Sequence, residues 1–333
     1  MTPPCAKGIP SEGVGGKPSI KLPITHYSLP ILLMFIKKIY NALHQSINHH
    51  IDTLPFFPKT HHGKPILKGH ISAEHLENPH LDDELVKNLN KWGIKTADFS
   101  IDTEGYKNYI KSTPYSLSYY GGGQDAKQNF IEKSLEHYVS LSFLPLTEGS
   151  VYMDIAAATS PFSDIVKAQF PIEKAYKQDL IFPKGIHGNQ IGGDAAQLPL
   201  PDNSIDGATL HCSLEHFEGH SDSLFFQEMQ RILKPNGRLV VLPFYLAHQY
   251  SNHIDPAFNF LKMHRVQLDA DPRMQLRYAT WKQYFSRHYD PQALHERIIS
   301  KVPHLDLTVY RVKNFKAVDK SCYLRFIGVF TKK

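Results

Sequence analysis

Cysteine is scarce in this 333-residue chain: only Cys5, Cys212 and Cys322 occur, far apart in sequence. No pair has C-x-x-C spacing, so neither a disulfide framework nor a thiolate metal site is expected, and the chain reads as one from a reducing compartment, the cytoplasm. Long apolar runs are missing as well. The run Ile31–Ile36 is stopped by Lys37 and Lys38, far short of the ~18–20 residues that a membrane span needs, and no apolar signal core precedes it. No membrane partner is expected. No basic stretch interleaved with aromatics marks a strand-binding groove, so no nucleic-acid partner is expected either. Internal repeats and low-complexity tracts are absent. The net charge is only +5, but it is uneven. Residues 150–244 carry 7 Lys/Arg against 11 Asp/Glu, and residues 245–333 carry 15 against 7. An acidic block suits a cationic ligand in the middle of the chain. The basic tail fits an anionic ligand or an ordinary solvated surface.

The remaining pattern divides the chain into three expected parts: an N-terminal extension (1–104), cap helices (105–149) and a main domain (150–333) with an insertion at 245–290. Residues 1–28 are rich in Pro and Gly, and helical spacing of Leu29, Leu32, Leu33, Ile36, Tyr40, Leu43 and Ile47 predicts a helix over 29–48. Residues 49–81 hold seven histidines, among them His70 and His75. None is joined to a Cys or Asp at ligand spacing on one helix face, so a polar surface loop is expected and no metal. A short helix is expected from Asp82 to Trp92, with Gly93 as its stop. Tyr119 and Tyr120 precede three consecutive glycines, a backbone hinge or a close approach. Helical spacing then predicts a helix from Gln124 to Leu144, stopped by Pro145.

From Ser150 the pattern changes to alternating strands and helices. Strands are expected at 150–155, 174–179, up to Gly192, 205–212 and 238–244, with helices at 163–169 and 224–233. This alternation predicts a doubly wound α/β sheet. Residues 245–287 lose periodicity and are expected to cap the sheet's ligand end. A helix over 291–301 and two β-rich runs, 305–312 and 323–331, complete the chain, the runs suiting a terminal antiparallel pair.

Two motifs stand at fixed places in this alternation. The run Gly193-Asp194-Ala195-Ala196-Gln197-Leu198-Pro199-Leu200-Pro201-Asp202-Asn203-Ser204-Ile205-Asp206 is similar to "G-D-A-x-x-L-P-F-P-D-x-S-F-D". The run Arg231-Ile232-Leu233-Lys234-Pro235-Asn236-Gly237 resembles "R-V-L-K-P-G-G". In this order they resemble the class I S-adenosylmethionine-dependent methyltransferases of type 11, strongly over residues 150–244. The resemblance implies a Rossmann-like, doubly wound, seven-stranded sheet with a terminal antiparallel strand, a mainly helical N-terminal cap, and S-adenosyl-L-methionine as cofactor. It implies that Asp179 accepts the ribose hydroxyls and that Asp194 and the Ala195 N–H read the adenine, which Leu180 and Leu198 sandwich. Asp154 would anchor the first turn or reach the methionine ammonium, with His211 and Cys212 beside it. The first turn departs from the family's "D-I-G-x-G-x-G": here it is Asp154-Ile155-Ala156-Ala157-Ala158-Thr159-Ser160. Ala156, Ala158 and Ser160 stand where glycines are expected and would line the cofactor, and Tyr120 would close over it by cation–π contact.

The acceptor is not written in a motif. After the fourth strand stands His211-Cys212-Ser213-Leu214-Glu215-His216-Phe217, not the Asn/Asp-Pro-Pro-aromatic run of amino-methyltransferases of nucleic-acid bases. A small-molecule acceptor, possibly a natural product, is expected. His216, His253 and His248 lead the candidate bases, ahead of Glu215 and Asp255. A non-catalytic protein of the same fold and a peptide methyltransferase are the alternatives. The oligomeric state is not readable.

Overall fold

The computed structural model describes residues 28–115 and 124–333, with side chains described from residue 33 and, in the second stretch, from residue 129. The chain divides into two compact units, Met1–Ile47 and Asn48–Lys333. In the first, helix α1 (Ser28–His49) begins, as its apolar spacing predicts, and the Tyr40 and His44 rings stack one turn apart. Among the described residues no helix is long and apolar enough to cross a membrane.

The second unit opens with three two-residue strands, β1 (Thr60–His61), β2 (Lys64–Pro65) and β3 (Leu67–Lys68). Helices α2 (Ile71–Glu77) and α3 (His80–Lys91) follow, then strand β4 (Lys95–Phe99) and helices α4 (Thr103–Ser112) and α5 (Gln124–Leu141). The alternating region gives β5 (Val151–Ile155), α6 (Phe162–Gln169), β6 (Lys174–His187), β7 (Gln190–Gly192), β8 (Ile205–His211), α7 (Ser221–Ile232) and β9 (Leu233–Leu242). Three short strands come next, β10 (Ser251–Ile254), β11 (Gln275–Tyr278) and β12 (Phe285–His288), with α8 (Pro256–Lys262) between the first two. The chain ends with α9 (Pro291–Arg297), β13 (Leu305–Val312) and β14 (Phe326–Lys332).

The large sheet has the order β4-β13-β14-β9-β8-β5-β6-β7, and only β14 runs against its neighbours. This is the Rossmann-like doubly wound sheet with a terminal antiparallel strand that the motifs imply. It has one strand more than expected: β4 pairs in parallel with β13, although the apolar pattern of residues 95–99 is too weak to announce a strand.

The strands form because their apolar residues must be buried on both faces. Tyr152, Val240 and Leu242 pack with Phe162 and Leu135 in one cluster, while Met153, Ile155, Leu239 and Val241 pack with Phe225, Phe226 and Met229 in the other. Successive residues of a strand point to opposite faces, so the two clusters are the two layers. Within β9 the backbone is tightly packed just before Arg238. A Cβ on Gly237 would lie 2.8 Å from the Lys234 carbonyl oxygen, and Asn236 has φ 66°.

Residues 245–290 form a second sheet, β12-β10-β11-β3, to which the N-terminal part of the unit lends β3. These strands escape periodicity analysis because their buried residues are polar: Ser251, Asn252, His253, Ser286, Arg287 and His288. Arg287 is fully buried and ties this sheet to the main core. Its guanidinium lies 2.7 Å from Asp269 and 3.0 Å from Asp222 of α7, and Arg297 of α9 reaches both carboxylates.

Candidate active site

The carboxyl ends of β5 and β8, and the point in β6 where its pairing with β5 ends, deliver the first turn, His211 and Asp179 to one edge of the sheet, where a doubly wound fold places its ligands. The first turn takes the path that glycines would take. Ala156 has φ 51° and Ala158 has φ 44°, so alanines are held in the left-handed region. The next element fixes that path. The Ala157 N–H donates to the Gln178 carbonyl at 2.9 Å, the Ala156 N–H to Gln178 Oε1 at 3.3 Å and the Ala158 N–H to Asp179 Oδ2 at 2.7 Å. Gln178 Nε2 donates in turn to the Gly193 carbonyl at 2.6 Å. One amide thus joins the first turn to the loop carrying Asp194. Cys212, at φ 42°, is a third strained residue at this edge. Such strain persists only where surrounding contacts over-determine it, and it gathers at functional sites.

Three cavities open here and share walls. The first, of about 300 Å³, is lined by Ala156, Asp179, Leu180, Asp194, Ala195 and His216. Asp179 and Asp194 therefore face a common hollow. Leu180 is three-quarters exposed beside it, whereas Leu198 is buried in the core and does not line it. The second cavity, of about 180 Å³, is lined by Lys133, Asp154, Ala156, Ser160, His211 and Cys212. The third, of about 610 Å³, has walls from Lys133, Ala158, Cys212, Glu215, His216, Tyr245, Trp281 and Tyr323. Ala156 borders the first and second, Lys133 and Cys212 the second and third, and His216 the first and third.

Asp154 is 1 % exposed. Its Oδ1 accepts from Thr209 Oγ1 at 3.1 Å and lies 3.5 Å from His211 Nδ1, but its Oδ2 is buried without a hydrogen-bond partner. An isolated buried carboxylate oxygen is costly, and this one borders a hollow large enough for an ammonium group. His211 is set by Ser140 Oγ, 2.8 Å from its Nε2. Asp179 keeps acceptor capacity: each oxygen receives one N–H, from Ala158 and from Ile181.

The walls of the large chamber are mostly neutral. Burial pushes the Tyr245 and Tyr323 phenols and the Cys212 thiol well above their usual ranges, so they stay protonated. Burial beside Glu136 lifts Glu132 to about 8. Lys133 lies 3.3 Å from both Glu136 oxygens. Burial also raises the Glu215 carboxyl. Lys133, Tyr245, Trp281 and Tyr323 are missed by sequence reasoning. They stand outside the motifs, on α5, after β9, before β12 and before β14.

Of the three histidines expected as bases, only His216 reaches the cavities, and Glu215 beside it lines the third. The His216 Nδ1 lies 2.6 Å from the Phe285 carbonyl and so donates, which turns Nε2 towards Glu215 at 3.6 Å. The expectation for His248 and His253 is corrected: neither lines the three cavities. His248 Nδ1 lies 3.1 Å from His75 Nε2, and the His248 N–H donates to the same nitrogen. His253 is fully buried and its Nε2 accepts the Ile71 N–H at 3.1 Å. Asp255 caps α8 by accepting from the Phe258 N–H. Tyr120 lies outside the described residues.

One ring nitrogen each of His70, His253 and His288 lies within 4.8 Å of the others, the geometry of a candidate metal cluster. The lone pairs are largely engaged, however. His70 Nδ1 accepts the Ser72 N–H and His253 Nε2 the Ile71 N–H, the first two donors of α2. A metal-binding imidazole instead turns its second nitrogen to an acceptor, as a donor. His70 and His253 thus cap the start of α2, while His288 Nε2 lies 2.9 Å from Ser72 Oγ and the Nδ1 atoms of His253 and His288 are buried without a hydrogen-bond partner.

The fold and this edge together define a Rossmann-like α/β protein with a nucleoside-sized hollow rimmed by two aspartates. Residues 164–241 match the family described as "Methyltransferase domain". The resemblance carried by the motifs thus holds for this segment, which includes Asp179, Asp194, His211 and His216. The ubiquinone/menaquinone biosynthesis C-methyltransferase UbiE of Ectopseudomonas mendocina (strain ymp) is 34% identical over 100 residues, 29% of this chain and 38% of that protein. The protein of the same name from Pseudomonas aeruginosa (strain LESB58) is 41% identical over 84 residues, 25% of this chain and 31% of that protein. The chain therefore spans less than two fifths of the length of these relatives. Among solved structures, the 1,6-didemethyltoxoflavin-N1-methyltransferase of Burkholderia thailandensis is similar with a TM-score of 0.39 and 14% identity over 68% of this chain and 86% of that one.

Proposed function

We propose that this protein is an S-adenosylmethionine-dependent methyltransferase acting on a small-molecule acceptor. The observation that carries the reading is the buried, unpartnered Asp154 Oδ2, in a hollow that adjoins both the Asp179–Asp194 cavity and the larger chamber. That donor set fits the cofactor: Asp154 and the Ser160 turn for the amino-acid end, Asp179 for the ribose hydroxyls, and Asp194 with Ala195 for the adenine edge. Bound there, S-adenosylmethionine supplies an electrophilic methyl on a sulfonium. The chain's own work is alignment, which can contribute most of the acceleration of a direct displacement. Lys133 and Cys212, shared between the second and third cavities, mark the side from which the acceptor approaches. His216 Nε2, on the chamber wall, is placed to take the proton the acceptor gives up. The neutral walls and the volume of about 610 Å³ favour a small acceptor over a peptide chain.

The test is transfer of labelled methyl from S-adenosylmethionine to metabolite extracts, with the wild type and Asp179→Ala in parallel. The proposal expects label in an extractable small product with the wild type only. Equal incorporation by both proteins, or none, would count against it.

A further inference from the structure

One acid of the chamber wall stands apart from its ion pairs, and it points to the acceptor. Lys133 is neutralised by Glu136, at 3.3 Å from both oxygens. Among the described residues no lysine or arginine forms such a pair with Glu215. Glu215 is 5 % exposed, its Oε2 is buried without a hydrogen-bond partner, and its Oε1 lies 3.6 Å from His216 Nε2. The short turn of 3₁₀ helix at Leu214–His216 holds it against the chamber wall. The same wall carries the rings of Tyr245, Trp281 and Tyr323. A lone carboxylate among aromatic faces is the chemistry that recognises an amine: the carboxylate takes an N–H and the ring faces stabilise the positive charge. An alcohol supplies the hydrogen bond without the charge.

Resting on the methyltransferase reading above, we propose that Glu215 anchors the acceptor and that the acceptor's nucleophile is an amine nitrogen. The protonated amine first gives one proton to the Glu215–His216 pair. Its freed lone pair then forms the N–C bond as the methyl's bond to sulfur breaks and that electron pair stays on sulfur. The methylated ammonium product loses a second proton to the pair, which passes both to solvent. No oxidant or further reactant is needed.

The test is calorimetric titration of 2-phenylethylamine and of its uncharged isostere 2-phenylethanol into the protein saturated with S-adenosylhomocysteine. Wild type, Glu215→Gln and Glu215→Asp are compared after a thermal melt confirms that each is folded. The wild type is expected to bind the amine at least about tenfold more tightly than the alcohol, the effect of one partly screened charge pair. Glu215→Gln should lose that preference and Glu215→Asp should retain part of it. Equal affinity for amine and alcohol, no binding of the amine at millimolar concentration, or an unchanged preference in Glu215→Gln each overturns the inference. If Glu215→Gln weakens S-adenosylmethionine relative to S-adenosylhomocysteine instead, the carboxylate serves the sulfonium and the inference falls. Should S-adenosylhomocysteine itself fail to bind the wild type, it is the methyltransferase reading that fails, and the two failures are told apart.

Discussion

Replacing Ala156 and Ala158 by glycine should stabilise this protein, the reverse of what Ala→Gly does in most places. Both alanines sit at positive φ, 51° and 44°. An L-residue in the left-handed region costs about 1–2 kcal/mol relative to right-handed backbone. Glycine escapes that cost but loses about 0.5–1 kcal/mol through its freer unfolded chain. The balance is a gain of roughly 0.5–1 kcal/mol per site and about 1–2 kcal/mol for the double variant, if the N–H bonds to Gln178 and Asp179 are kept. Urea unfolding should show the midpoint rising with an unchanged slope. The melting temperature should climb by about 1–2 °C per kcal/mol, because the unfolding entropy of a 333-residue chain sums to roughly 0.7 kcal/mol/K. Loss of stability in both single variants would refute the reasoning, because it would mean that these residues are not held in the left-handed region. Affinity for S-adenosylhomocysteine in the double variant should stay equal or improve, since the backbone path is the one glycines prefer.

Other outcomes follow from the same geometry. Asp154→Asn keeps the shape but removes the charge facing the second cavity. S-adenosylhomocysteine binding should weaken by roughly 10–100-fold in calorimetry, the contribution of one hydrogen bond to a charged group. Arg287→Met leaves Asp222 and Asp269 buried with Arg297 as the one cation still paired to them among the described residues. Chemical denaturation should report a loss near the lower end of about 3–5 kcal/mol. His70 is held down to about 4 by burial first and then by Arg277. Because its folded value lies below the unfolded 6.5, the unfolded chain binds more protons between those values. Its contribution to stability is full above about pH 6.5 and is lost as pH falls towards 4, by about 1.4 kcal/mol per pH unit. Glu132, lifted to about 8, works in the opposite sense. The measurement is therefore the difference between wild type and His70→Asn, which should shrink by about 2 kcal/mol from pH 7.5 to pH 5.0. An unchanged difference would show that His70 already carries a proton in the folded protein.

The large sheet was legible because its strands obey the rule that sequence analysis reads best, apolar residues between turn residues. Val151–Ile155 and Ile205–His211 announce themselves in that way. The Gly193–Asp206 and Arg231–Gly237 runs then mark the edge at which the cofactor is proposed to sit. The second sheet was illegible for the converse reason. Asn252, His253, Arg287 and His288 are buried through hydrogen bonds and ion pairs, which leave no periodic trace. The same fact misdirected the choice of bases. His248 and His253 look like free imidazoles in a loosely patterned segment, but one is paired with His75 and the other helps to cap α2. Lys133, Tyr245 and Tyr323 reach the chamber from three elements distant in sequence, and only the folded chain brings them together. The altered first turn puts alanines where glycines are expected, and an alanine is restricted in φ. The structure shows the restriction met by strain at Ala156 and Ala158, fixed by Gln178 and Asp179.

The central claim is that an adenosyl group lies across the carboxyl edge of the sheet, between Asp179 and Asp194, with its amino-acid end at Asp154. Titration of S-adenosylhomocysteine into the wild-type chain by calorimetry tests it most directly. The account predicts one site per chain with micromolar or tighter affinity, lost in Asp179→Ala. Absence of binding to a folded wild type, or undiminished binding to Asp179→Ala, would contradict it.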